Sequence, residues 1–90
     1  MPPQAEDFQR ELHRQFRDAT AKNQPYLDVR AGDLHEDSGG GTGREGRIVV
    51  CCGVMYSNLK CSYGDKILRL PDGDSGLGMN LVIRYVLPRP

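Results

Sequence analysis

The sequence predicts an α+β domain in which three helices pack on a small antiparallel sheet, a β-hairpin with a third strand at its edge. Three observations lead there. Apolar residues recur at helical spacing near the start of the chain and again over residues 48–60. Two segments near the end, 66–70 (KILRL) and 80–87 (NLVIRYVL), read as strands joined by the glycine- and aspartate-rich PDGDSGLG. Ninety residues make one small domain with one modest core, expected over residues 5–88 after a disordered MPPQ start.

Taken in order, residues 5–23 form an amphipathic helix. Phe8, Leu12, Phe16 and Ala19 share one face, and Gln9, Arg10, His13, Arg14 and Arg17 form a wet one. Glu6, Asp7 and Glu11 lie near its start and Lys22 near its end, as the helix macrodipole favours. Pro25 stops it, because the residue before proline avoids the helical region. Residues 26–29 are a short strand. Gly32 or Asp33 then caps a short helix through Leu34, His35 and Glu36, with Asp33 and Glu36 at capping-box spacing. Residues 38–46 hold five glycines and form a loop.

Residues 48–60 are the ambiguous element. Ile48, Val49 and Val50 favour a strand. Ile48, Cys51, Cys52, Met55 and Leu59 fall at helical spacing, and thirteen residues exceed an ordinary strand. The expectation is a helix, with Gly53 costing about 1 kcal/mol against alanine. Val49, Val50, Val54 and Tyr56 cannot all be buried with that stripe, so some are expected to face a partner protein or a second copy of the chain. Residues 62–65 are a turn. In the last strand Leu81, Ile83, Tyr85 and Leu87 share one face, and Arg84 lies on the other between Val82 and Val86.

Several chemistries are weak. The loop GGGTGREGR has glycines but lacks the Lys-Ser/Thr pair of a nucleotide P-loop. Cys51 and Cys52 are adjacent, so on a helix they diverge and cannot readily serve one zinc ion. A cysteine nucleophile needs a base, and of the two histidines only His35 could reach a thiol. Gly73-Asp74-Ser75-Gly76 copies the letters around a trypsin-like nucleophile, but here they sit in a hairpin loop, without the two-barrel body such a protease needs. No enzyme activity, cofactor or metal is expected. Three cysteines, two of them adjacent, make a poor disulfide framework. With no visible signal peptide and no apolar run of spanning length, the expectation is a cytoplasmic protein with no membrane partner.

Net charge is +0, yet residues 1–43 carry five basic and eight acidic groups and residues 44–90 seven basic and four acidic. A polyanion would favour the second half. The element order, helix–strand–helix–helix–strand–strand, is that of a winged-helix domain. Gly32-Asp33-Leu34-His35, Cys51-Cys52-Gly53-Val54-Met55, Gly64-Asp65-Lys66-Ile67-Leu68 and the run from Leu81 to Pro88 carry a resemblance to small winged-helix (winged helix-turn-helix) proteins of a bacterial type. The resemblance implies a DNA-binding protein of regulator type. Arg44 and Arg47 would flank the start of the groove-entering helix, Ser57, Asn58 and Lys60 would lie along its later part, and Lys66 and Arg69 would follow on the strand. Of these, Arg44, Arg47, Ser57, Asn58, Lys60 and Arg69 are the expected contacts to double-stranded DNA. Asp72 and Asp74 at the wing tip run against that reading. The alternative is a non-catalytic protein–protein interaction module, or a homodimer, using the exposed valines and Tyr56.

Overall fold

The computed structural model describes residues 4–38, 48–70 and 78–88. They form α1 (Ala5–Ala21), β1 (Tyr26–Arg30), α2 (Ala31–Asp37), α3 (Ile48–Ser57), a 3-10 turn (Cys61–Tyr63), β2 (Lys66–Arg69) and β3 (Val82–Val86). The class is α+β, three α-helices with one three-stranded antiparallel sheet of order β1-β3-β2. The expected 38–46 loop and the hairpin connection after residue 70 lie almost wholly outside the described residues.

Helix α1 begins where its spacing predicts. The Asp7 carboxylate accepts the Gln4 backbone N–H at 2.7 Å, using a donor that the first turn leaves unpaired. Phe8, Leu12, Phe16 and Ala19 are its buried face. The helix ends two residues earlier than expected. Asn23 turns left-handed at φ 60°, and the Gln24 N–H returns to the Ala19 carbonyl at 3.0 Å. Asparagine tolerates that region better than most residues.

The sheet is built around β3. Its partners on β1 run from Tyr26 opposite Val86 to Arg30 opposite Val82. On β2, Lys66 faces Arg84, Ile67 faces Ile83 and Arg69 faces Val82, which leaves Leu68 as the extra residue of a bulge. Alternation does the rest. Leu81, Ile83, Tyr85 and Leu87 are buried against the helices, whereas Val82, Arg84 and Val86 are half-buried on the far side. Strand β1 runs one residue past its expected end, to Arg30, whereas β2 and β3 are shorter than expected: 66–69 and 82–86 pair, and Leu70, Asn80, Leu81 and Leu87 lie beyond the ladder.

The expected Asp33 cap is not formed. Helix α2 starts at Ala31, directly after the strand, and Asp33 lies inside its first turn with its carboxylate 3.1 Å from Arg30. Gly32 lets the chain pass close here, since a Cβ would stand 2.7 Å from Arg30 Nη1 and 3.3 Å from the Met79 carbonyl oxygen, so the arginine would have to move aside. Residues 48–57 are helical, so length and burial outweigh the β-branched start. The helix stops at Ser57 rather than residue 60. There the Asn58 amide donates to the Val54 carbonyl at 2.8 Å, competing with the backbone ladder. Ile48, Cys51, Cys52 and Met55 are buried as expected and Leu59 packs against the core. Val54 is buried too, which removes it from any outward face; Val49 is 54% exposed.

Two polar contacts fix the layers. The Tyr85 hydroxyl donates to the Met55 carbonyl at 2.8 Å, and its ring meets Phe16 edge-on at 5.0 Å. Asp65, buried behind the 3-10 turn, accepts the Lys60 N–H at 2.9 Å and the Val86 N–H at 2.7 Å. Gly64 makes this turn possible at φ 93°.

Replacing Asp65 by alanine strands two backbone donors, so Asp65→Ala is expected to cost about 2–4 kcal/mol in urea unfolding. Gly53 is the converse. It lies mid-helix on the exposed side, and a Cβ there would meet nothing within 4 Å. Gly53→Ala is expected to add about 1 kcal/mol of stability in the same assay.

Candidate nucleic-acid interface

Register decides which charges gather on the outer face of the sheet. Cross-strand partners project to the same side, so Tyr26, Asp28 and Arg30 of β1, Val82, Arg84 and Val86 of β3, and Lys66 and Arg69 of β2 share it. The face carries Lys66 and Arg69 together with two ion-paired arginines, Arg84 on Asp28 and Arg30 on Asp33 of α2. Arg84 sits at its centre. Its Nε donates to Asp28 Oδ1 at 2.8 Å and its Nη2 to Asp28 Oδ2 at 3.1 Å, a two-pronged clamp. The Asp28 hydrogen bonds raise the already high pKa of the guanidinium. The same guanidinium lies 3.9 Å over the Tyr26 ring centroid. Arg30 is held at the rim by Asp33 and by the Asn80 side-chain oxygen, each at 3.1 Å.

The groove beside α1 makes a useful contrast. Arg10, Arg14 and Arg17 line it together with Asp7, Glu11 and Asp37, so its charges cancel. Arg14 clamps Glu11 at 3.0 and 2.7 Å and thereby holds that carboxyl below its ordinary value. An anion gains nothing there that it gains on the sheet.

The expected contact residues scatter. Arg44 and Arg47 lie outside the described residues. The Ser57 hydroxyl donates to the Val54 carbonyl at 2.8 Å and serves its own helix. Asn58 exchanges amide hydrogen bonds with Gln9, at 3.0 Å one way and 2.8 Å the other, and so ties the end of α3 to α1. Lys60 is exposed beyond the helix, with its backbone N–H on Asp65. Arg69 is exposed on the outer sheet face. Helix α3 carries no charged residue along its ten positions, IVVCCGVMYS. Arg30 and Arg84 were missed by sequence reasoning. Alternation placed Arg84 on the outer side of its strand, but nothing local shows that Arg30 and Lys66 flank it.

Two of the thiols pack inside the fold. Cys51 donates to the Ala31 carbonyl at 3.5 Å. Cys52 pairs with Gly78 in both senses at 3.4 Å, which ties α3 to the chain entering β3. Burial pushes the Cys51 thiol up to about 12 and raises Cys52 as well; Cys61 is exposed. His35 stacks on Phe8 at 5.8 Å between ring centroids, and its Nε2 has no hydrogen-bond partner among the described residues. Among those residues no group of three or more His, Cys, Asp or Glu could hold a metal ion, and no helix is long and apolar enough to cross a membrane. No family model, curated protein or solved structure matches this chain.

A thiol reagent is therefore expected to modify Cys61 quickly in the native protein and Cys51 and Cys52 only on unfolding. The sign of the linkage follows. The unfolded chain loses the Cys51 proton near 9.0, whereas the folded chain keeps it until about 12. Stability is full below the first value and declines as pH rises toward the second. Urea melts across that alkaline window, with Cys51→Ala as control, should show the decline flattened in the variant.

Proposed function

We propose that this chain is a DNA-binding module of winged-helix type, of the kind used by transcriptional regulators. The order α1-β1-α2-α3-β2-β3 and the sheet order β1-β3-β2 support the fold reading, since that hairpin against a helical layer is how such a domain is wired. The observation that carries the function is the outer sheet face, where Lys66 and Arg69 add positive charge beside the ion pairs Arg84–Asp28 and Arg30–Asp33. A surface with that imbalance favours a phosphate backbone and releases counterions on binding it.

The reading shifts weight within the site. An uncharged α3 offers little to phosphates, so contact runs through Lys60, Lys66, Arg69 and the sheet, with Arg44 and Arg47 ahead of α3 as further candidates. The alternative, a non-catalytic protein-interaction module, draws on that same uncharged helix, whose Val49 is 54% exposed.

Titration against DNA at rising salt separates the two. Affinity is expected to fall steeply with salt. Neutralising Lys66 and Arg69 together should weaken binding and flatten the log–log slope by about two units, because each phosphate contact contributes roughly 0.9. Absence of binding at the lowest salt removes the DNA reading and leaves the protein-interaction one.

A further inference from the structure

We infer that the outer face of the sheet takes a nucleic-acid strand whose bases are unpaired, with Arg84 and Tyr26 as a stacking platform and Lys66 and Arg69 as its phosphate contacts. The inference rests on the DNA-binding reading and narrows it to one class of ligand.

A surface that meets duplex needs only cations, since the duplex offers phosphates outermost. This face holds more than cations. Tyr26 is 42% exposed on it, and Val82 and Val86 are half-buried along its central strand. Arg84 is committed in charge to Asp28, so it adds little to phosphate attraction. What remains is a planar guanidinium, immobilised by two hydrogen bonds and by the ring 3.9 Å beneath it. Its side chain is still 30% exposed. A flat, rigid, partly dehydrated cation of this kind stacks well on a base, as aromatic rings do. Bases present such faces only when unpaired.

Position supports the same division of labour. Arg84 lies at the centre of the face, with Lys66 directly across on β2, while Arg69 and Arg30 flank Val82 from opposite sides. The central groups are apolar or charge-compensated, and Lys66 and Arg69 line the β2 margin beside them. A single strand asks for that arrangement, with bases on a platform and backbone along a charged margin.

The test compares fluorescence anisotropy of the full chain with a labelled oligothymidine and with a mixed-sequence duplex of equal length, in matched low salt. Tighter binding of the single strand is expected, by about tenfold. Tyr26→Leu should lose about as much on the single strand and change the duplex little, whereas neutralising Lys66 and Arg69 should weaken both. Thermal melts of each variant exclude unfolding. Equal or tighter binding of duplex overturns the inference and leaves DNA binding standing, as does a Tyr26→Leu effect that is the same on both probes. No binding of either probe overturns the inference together with the reading beneath it.

Discussion

The central strand β3 has to satisfy two environments at once, and the rest of the molecule depends on its register. Leu81, Ile83, Tyr85 and Leu87 must point into the helices, so Val82, Arg84 and Val86 must point away. A slip of one residue would drive Arg84 into the core and put Tyr85 in water. Three backbone contacts outside the regular ladder prevent it. The Val86 N–H is held by Asp65, the Leu87 N–H by the Pro25 carbonyl at 3.0 Å, and the Leu81 carbonyl by the Ala31 N–H at 2.8 Å. Each anchors β3 to a different part of the chain. The outer face inherits its charge pattern from this pinning rather than from any local motif.

The same constraint explains what could be read from the sequence. The buried face of α1 and that of β3 were legible because each repeats at its own period, 3.6 or two, within a few residues. Helix α3 was only half legible. It is apolar on nearly every side, so periodicity names neither its face nor its type. Its length and its buried cysteines settle it as a helix, and Val54 joins the core from a position that looked outward. The site was less legible than the fold. Ser57 and Asn58 looked like contact residues because polar side chains at a helix end look alike in sequence, whether they meet a ligand or their own backbone. Arg30 and Lys66 come beside Arg84 only through pairings that bridge large separations along the chain, and a reading of local pattern does not reach them.

Placing the charges on the sheet has an energetic logic. Helix α3 is the most apolar of the three described helices, and five of its ten residues are buried. Its thiols complete that burial with weak hydrogen bonds to Ala31 and Gly78. A charged side chain on its inner face would be costly without a partner. The sheet has no such obligation, because described elements cover only its inner side. Edge strands also benefit from cations. Lys66, Arg69 and the bulge at Leu68 on β2 discourage edge-to-edge pairing, which the exposed Ile67, Leu68 and Leu70 would otherwise invite. The residues proposed to meet phosphates thus also blunt this edge.

This double role limits how the surface could be altered. Removing Lys66 and Arg69 to weaken a polyanion contact also strips the β2 edge of its repulsion, so a loss of affinity is interpretable only if the variant stays monodisperse. Asp28 is constrained more tightly still. It holds the Arg84 guanidinium flat over Tyr26, and without it the arginine would gain freedom as a charge and lose definition as a plane. A surface that used Arg84 as a phosphate contact would be improved by losing Asp28, whereas a surface that used it as a platform would be harmed. The clamp is an odd feature to retain on a face built for phosphates alone, and a sensible one on a face built for bases.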